Sequence, residues 1–599
     1  MTNNEISPEQ ADRPWLDGTL SVDARVDLLL DAMMLEEKAG LLFHTMLPVG
    51  DLDEVNPMMP LPTGRQLVVE RHMSHFNVLG AAPTGRDMAA WHNALQRLAA
   101  STRLGIPVTL SSDPRHSFSD NPGAAIAAGP FSQWPEALGL AAIGDEDTVE
   151  QFAAIARQEY TAVGLRVALH PQVDLATEPR WARQVATFGE DVELASRLGA
   201  AYIKGFQGTT FGPGSVATMT KHFPGGGPQK DGEDPHFAYG REQVYPGGQF
   251  ELHLKPFEAA FEAGTRQVMP YYGMPVGTEY EEVGFGFNKS VITGLLRERY
   301  GFDGLVCTDW GIISDAVVFG DPHPARAWGV EHLTPSERIA KVLDAGADQF
   351  GGEACPELLI DLVSSGAVTE TRLDESARRI LREKFELGLF ENPYVDEDVA
   401  DEIVGSAEFR AAGEAAQRAS ITVLTNGRPA DGGAPALPLP RGLRIYVEGI
   451  APETAALYGE VVERPEHAEL SIIRLQAPYE ARSTVFESFF HAGSLEFPED
   501  VISHVRSIAA TVPTVVDVFV DRPAILEPIA EVAAALTVNW GASAHALLDV
   551  LTGACATAGR LPFDLPRSMD AVAQSRPDVP FDTADPLFRC GHGLVLARA

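Results

Sequence analysis

Between about residue 100 and residue 390 the sequence repeats one unit, a short β-rich run followed by an amphipathic stretch with helical spacing. The runs are "PVTLSSD" (107–113), "RVALHPQVD" (166–174), "VATMTKHFP" (216–224), "QVMPYYG" (267–273), "GLVCTDWG" (304–311) and "GADQFGG" (346–352). Between two of them, "GGQFELHLKPFEAAFEAG" (247–264) places Phe250, Leu254, Phe257 and Phe261 on one helical face, as a helix covering a sheet would. Alternating apolar strands and one-faced helices bury both kinds of surface when helices wrap a parallel sheet. The pattern therefore predicts an N-terminal (β/α)8 TIM-like barrel, assigned to residues 1–395.

The way these runs end is the next constraint. Asp113, His170, Lys221 with His222, Tyr272, and Asp309 with Trp310 all stand at or near the C-terminal ends of apolar runs. Each has an ordinary explanation; Asp309 alone would read as the cap of a helix begun by "IISDAV" (312–317). Taken together they mark the face of a barrel on which side chains from different strands converge for catalysis.

After "ARRILREKFELGLFENPYVD" (377–396) the pattern changes to an acidic segment, and residues 396–415 are expected as a linker. Residues 427–441, rich in Gly and Pro, read as a loop. A second alternating series runs through "ASITVLTN" (419–426), "LRIYVEG" (443–449), "LSIIRLQ" (470–476), "TVVDVFV" (514–520) and "ALTVNW" (535–540). It predicts a smaller open α/β domain with a mostly parallel sheet over residues 416–599.

A chain of 599 residues exceeds what one core accommodates, in keeping with two domains. Its net charge of −38 argues against nucleic acid or an anionic membrane as a partner, because phosphate binding needs clustered Lys and Arg. The first residues show neither a basic start nor an apolar core of a secretory signal, so a cytoplasmic location is expected. Cys307, Cys355, Cys555 and Cys590 are widely spaced and form no Cys-x-x-Cys pair, so neither a zinc site nor a disulfide framework is expected. Motifs of P-loop kinases, serine hydrolases and zincins are missing from the sequence. No metal and no cofactor are implied.

Four stretches carry a resemblance: "KHFPGGG" (221–227), "EPRWARQVATFGED" (178–191), "CTDWG" (307–311) and "DPLFRCGHGL" (585–594). They resemble, in order and over nearly the whole chain, the signatures of glycoside hydrolase family 3. That resemblance implies a β/α barrel followed by an α/β sandwich that contributes to the active site at their interface. It also implies a retaining exo-β-glycosidase that releases terminal non-reducing β-D-glucosyl residues through a covalent glycosyl-aspartate. Asp309 matches the nucleophile of the family, and Trp310 offers a ring face for a sugar. Asp113, Arg183, Lys221, His222 and Tyr272 match its sugar-binding positions. Arg180 is left to a salt bridge within its own loop. The partner is a small carbohydrate, and a homodimer is left open.

Retaining hydrolysis also needs a proton donor about 5 Å from the nucleophile. Many two-domain relatives carry a glutamate for this on the second domain, but "IIRLQAPYEAR" (472–482) has none at the usual place before Tyr479. Glu480 is the expected acid/base, with Glu487 and Glu496 further along. The rival is an Asp-x-His pair, Asp234 with His236, in "KHFPGGGPQKDGEDPHF" (221–237), which resembles the dyad of the β-N-acetylglucosaminidases of the family but lies two residues late. β-N-acetylglucosaminidase and β-xylosidase are the alternative activities. A sugar-binding protein without catalysis is disfavoured, because binding needs no nucleophile.

Overall fold

The computed structural model describes residues 13–55, 61–427 and 435–598, so part of the expected 427–441 loop lies outside the described residues. Eight parallel strands form the first domain: β1 (Phe43–Pro48), β2 (His75–Leu79), β3 (Thr109–Ser112), β4 (Leu165–Ala168), β5 (Ala217–Phe223), β6 (Gln267–Pro270), β7 (Leu305–Val306) and β8 (Phe350–Gly351). They run in the order β8-β1-β2-β3-β4-β5-β6-β7. A parallel bridge between Cys307 and Gln349 brings the two edges of this sheet together, making a barrel. All six runs read as strands from the sequence are strands here. The two that were not, β1 and β2, carry His44, Thr45, His75 and Asn77 in place of an apolar run, and these side chains are buried.

Crossover helices begin where a side-chain cap satisfies their free N–H groups. Asp145 opens Glu146–Ala162, Asp191 opens Val192–Gln207, and Thr334 with Glu337 forms a capping box on Pro335–Ala345. The predicted helix at 247–264 forms as Phe250–His253 and Lys255–Glu262, with Leu254 and Phe257 fully buried against the sheet. "IISDAV" is not helical. The chain there turns and enters a short antiparallel pair, Ala316–Val318 with Asp321–His323, so Asp309 caps no helix.

Residues 396–415, expected as a linker, are largely helical: Glu397–Ile403 and the first turns of Ala407–Ser420. Ala400 is fully buried and belongs to the barrel's core cluster, so this segment packs as part of the first domain's surface.

The second domain holds a six-stranded sheet: β9 (Thr422–Asn426), β10 (Arg444–Glu448), β11 (Glu460–Val461), β12 (Leu470–Gln476), β13 (Thr514–Phe519) and β14 (Ala535–Asn539). The order is β9-β14-β13-β12-β10-β11, parallel except for β9 against β14. Val516 and Val518 of β13 belong to one core cluster while Val515 belongs to another, the alternation of a sheet buried on both faces. Among the described residues no helix is long and apolar enough to cross a membrane.

The domains are joined by buried polar contacts. The Glu190 carboxylate accepts N–H bonds from Asp564 and Phe581, and Asp578 accepts from Gly247 and Gln249. The fully buried Arg522 donates to the carbonyls of Arg180, Pro478, Ala492, Gly493 and Ser494, which fixes the loop that follows β12 against the barrel.

Candidate active site

A pocket opens at the C-terminal ends of the barrel strands. Asn77 comes from β2, Asp113 follows β3, Lys221 and His222 end β5, Tyr272 follows β6, and Asp309 with Trp310 follows β7. Arg183 and His236 reach it from the loops after β4 and β5. One side is closed by Ala316, Val318 and Phe319 of the antiparallel pair and its turn, and another by Phe486 of the second domain.

Asp309 is buried, and its Oδ1 accepts the Trp310 N–H at 2.9 Å. Its Oδ2 is also buried and has no hydrogen-bond partner among the described residues, and His222 Nε2 lies 3.9 Å away. Burial pushes the Asp309 carboxyl above its ordinary value, and His236, the Trp310 N–H, Arg183 and Lys221 work against that rise. The result is a carboxylate held by one oxygen, with the other buried and facing the pocket.

Asp113 is bound on both oxygens, by Lys221 Nζ at 2.9 Å and Asn77 Nδ2 at 3.0 Å. Burial works to raise its pKa, but Lys221, Asn77 and Arg183 together outweigh it and hold the carboxyl below its ordinary value. The charge-assisted pair presents both an acceptor and a donor, the arrangement that replaces water on a sugar diol.

His222 is oriented from behind. Its Nδ1 lies 2.8 Å from Asp174 Oδ2, while Asp174 Oδ1 accepts N–H bonds from His222 and Gly226. With Nδ1 donating to the carboxylate, Nε2 faces the pocket as an acceptor. Burial, then Arg183 and Lys221, drives the pKa of His222 well below its ordinary value, so the ring is neutral. Gly227, at the end of the "KHFPGGG" turn, lies so close to the Leu175 carbonyl that any Cβ would overlap it.

Tyr272 donates its O–H to the Trp310 carbonyl at 2.7 Å, which fixes the indole beside Asp309. The indole packs on the His44 ring at 5.2 Å between centroids. Arg326, which sequence reasoning missed, lines the pocket with its guanidinium 5.6 Å from the Tyr272 ring and 5.9 Å from that of Phe486. Asn77 and Phe486 were missed too. Arg180 is paired with Glu178 at 2.8 Å, as its loop position suggested.

The two proposed proton donors are placed very differently. Glu480 is exposed, its Oε1 accepts the Ser494 N–H, and it is not among the residues lining the pocket; Arg522 holds its loop through the carbonyls of Pro478 and Ala492. Glu487 is used by Ser483, Thr484 and Tyr239, and Glu496 is exposed. His236 does line the pocket, with Nδ1 2.6 Å from Asp234 Oδ1 and both residues buried. Its ring sits 4.7 Å from that of Tyr272 and 4.5 Å from that of Phe490. Burial lowers the pKa of His236, and the Asp234 carboxylate counters in part. The second domain thus brings the rings of Phe486 and Phe490 to the site, and the carboxylates that line the pocket, Asp113 and Asp309, come from the barrel.

Residues 74–383 match the Glycosyl hydrolase family 3 N terminal domain, and residues 316–595 match the Glycosyl hydrolase family 3 C-terminal domain. The chain is 51% identical over 586 residues to the "Probable beta-glucosidase C" of Aspergillus flavus, covering 98% of this chain and 92% of that one. It is 40% identical over 616 residues to the "Periplasmic beta-glucosidase/beta-xylosidase" of Dickeya chrysanthemi, covering 99% and 93%. A crystal structure of an exo-1,3/1,4-beta-glucanase from a Pseudoalteromonas species superposes with a TM-score of 0.77 at 21% identity, covering 96% of this chain and 95% of that one, a likeness of fold.

Proposed function

The chain belongs to glycosyl hydrolase family 3 and is a glycoside hydrolase, and on that premise we propose that it is a retaining exo-β-glucosidase with Asp309 as nucleophile and His236 as acid/base. The observation that carries this reading is the unpartnered, buried Oδ2 of Asp309 in one pocket with an imidazole held by its own carboxylate.

In this reading a terminal glucosyl ring enters the pocket and exchanges water for Asp113, Lys221, Arg183 and His222. Asp309 Oδ2 attacks the anomeric carbon while His236 Nε2 gives its proton to the departing glycosidic oxygen, leaving a glucosyl ester and a free alcohol. Neutral His236 then takes a proton from water, the hydroxide oxygen bonds to the anomeric carbon, and the Asp309 carboxylate leaves. Asp234 stabilises the imidazolium at each proton transfer, as a carboxylate behind a catalytic histidine does. The walls from the antiparallel pair and Phe486 support exo action, since they close the pocket around a chain end.

The relatives' names favour glucosides over N-acetylglucosaminides, so we assign the Asp-His pair to a β-glucosidase. The name of the Dickeya relative supports β-xyloside cleavage as a side activity. Initial rates on nitrophenyl β-glucoside, β-xyloside and β-N-acetylglucosaminide, with NMR of the anomer first released, test the proposal. β-Glucose formed first from the best substrate is the expected result. α-Glucose first, or faster N-acetylglucosaminide cleavage, would overturn it.

A further inference from the structure

A second and larger cavity, of about 700 Å3, lies between the two domains. Its lining includes neither Asp309 nor Trp310, but Arg183 and Lys221 line both cavities and so form the wall between them.

The second domain supplies its side of this cavity from one place in the topology. From β10 the chain runs to the edge strand β11 and then returns to β12 on the opposite side of β10. Connections therefore diverge between β10 and β12, and a crevice opens outside the carboxyl ends of the strands. That is where open α/β sheets hold their ligands. Gly449 just after β10, Gln476 at the end of β12, Phe519 at the end of β13 and Asn539 at the end of β14 all face the cavity. Barrel residues 114–125 and 182–188 contribute much of the opposite wall.

The chemistry of the lining selects the ligand. Several of its charged groups are already paired, Arg474 with Asp517 at 3.3 Å, His491 with Asp521, and Lys221 with Asp113, and Arg183 donates to Gln172 Oε1. An ionic ligand at any of these three pairs would have to compete with the partner already in place. Asp521 is 9% exposed, and its Oδ1 is buried at this cavity with no partner among the described residues, an acceptor that a hydroxyl would satisfy. Phe118, Phe489 and Phe519 give flat apolar surface beside it. Buried acceptors next to aromatic faces suit an uncharged molecule with hydroxyls on its edge and C–H groups on its face.

We propose that this interdomain cavity is a second binding site for an uncharged mono- or disaccharide, separate from the catalytic pocket and sharing with it the wall formed by Arg183 and Lys221. Glucose, the product of the proposed reaction, and cellobiose are the probes. The catalytic pocket is first blocked by reaction with 2-deoxy-2-fluoroglucosyl fluoride, whose adduct is registered by its mass. Calorimetric titration of the blocked enzyme is expected to show one further equivalent of glucose or cellobiose. Asp521→Asn, which keeps the shape of the group but not its charge, should weaken that binding about tenfold, the loss of one charge-assisted hydrogen bond. Gln476→Trp, at an exposed position on the rim, should weaken it severalfold by narrowing the entrance, with circular dichroism confirming the fold of both variants. No saccharide binding by the blocked enzyme, or wild-type binding in Gln476→Trp, overturns the proposal. If no adduct forms, it is the reading of Asp309 that has failed, and titration of the unblocked enzyme decides: two equivalents support the second site and one refutes it.

Discussion

Replacing His236 with Gln separates the two proton donors. Gln keeps an N–H within reach of Asp234, so the buried carboxylate is not stranded, but it cannot deliver a proton. Loss of a positioned general acid costs about 10²–10⁴ in rate, or roughly 2.7–5.4 kcal/mol of transition-state stabilisation. The loss should fall on substrates whose leaving group needs a proton. Cellobiose turnover is expected to drop within that range, while hydrolysis of 2,4-dinitrophenyl β-glucoside, whose phenolate leaves unassisted, should change much less in its first step. The parallel variant is Glu480→Gln. Glu480 is exposed, bonded to Ser494 and outside the pocket, so its replacement should leave both substrates within about twofold of wild type, as surface changes usually do. Steady-state and pre-steady-state rates on the two substrates decide the matter. If Glu480→Gln lost cellobiose turnover selectively while His236→Gln kept it, the reasoning from pocket geometry would be refuted.

The same pair of groups sets a pH profile. Asp309 must be ionised, and burial raises its pKa from 3.8, so kcat/KM should rise with pH through a midpoint above that value. His236 must be protonated, and burial lowers its pKa from 6.5, so kcat/KM should fall with pH through a midpoint below that value. A narrow acidic bell is expected for the free enzyme, and a plateau extending past pH 7 would contradict the assignment. Lys221→Met leaves buried Asp113 without its ion-pair partner and should cost on the order of 3–5 kcal/mol in urea unfolding, together with a raised KM; unchanged stability would mean that the pair is not closed in solution. Gly227→Ala places a methyl group against the Leu175 carbonyl and should lower the melting temperature and kcat together, whereas a wild-type melting curve would show that the turn relaxes freely.

The barrel was legible because its middle strands are largely apolar runs with polar residues at or near their ends, as Lys221 and His222 in 216–224 and Asp309 in 304–311 show. Strands β1 and β2 escaped because the barrel interior buries polar side chains there, His44, Thr45, His75 and Asn77, in place of an apolar run. His44 bonds to Ser111 at 2.7 Å and Asn77 bonds to Asp113. That miss carried Asn77 out of the predicted site with it. Arg183, Lys221, His222, Asp309 and Trp310 were legible because they lie in contiguous signatures, Asp113 and Tyr272 because they stand at the ends of apolar runs, and the structure gathers all seven in one pocket. Arg326 and Phe486 were not legible, since no local pattern distinguishes a wall residue from any other buried Arg or Phe. The placement of Glu480 depended on a loop, and what decides that loop is Arg522, about 40 residues further along the chain, bonding five carbonyls. A contact of that kind is set by tertiary packing and leaves no mark on the residues around Glu480. His236 could have been preferred from sequence on one ground, its spacing of two from a carboxylate, which is the spacing that lets Asp234 accept both its N–H and its ring.

The central claim is that Asp309 bonds covalently to the sugar. Incubation with 2,4-dinitrophenyl 2-deoxy-2-fluoro-β-glucoside, followed by peptide mass mapping, tests it most directly. The account predicts release of one equivalent of dinitrophenolate and one fluoroglucosyl adduct on the peptide containing Cys307-Thr308-Asp309-Trp310, lost in Asp309→Asn. An adduct on any other carboxylate, or turnover of the natural glucoside by Asp309→Asn at the wild-type rate, would contradict it.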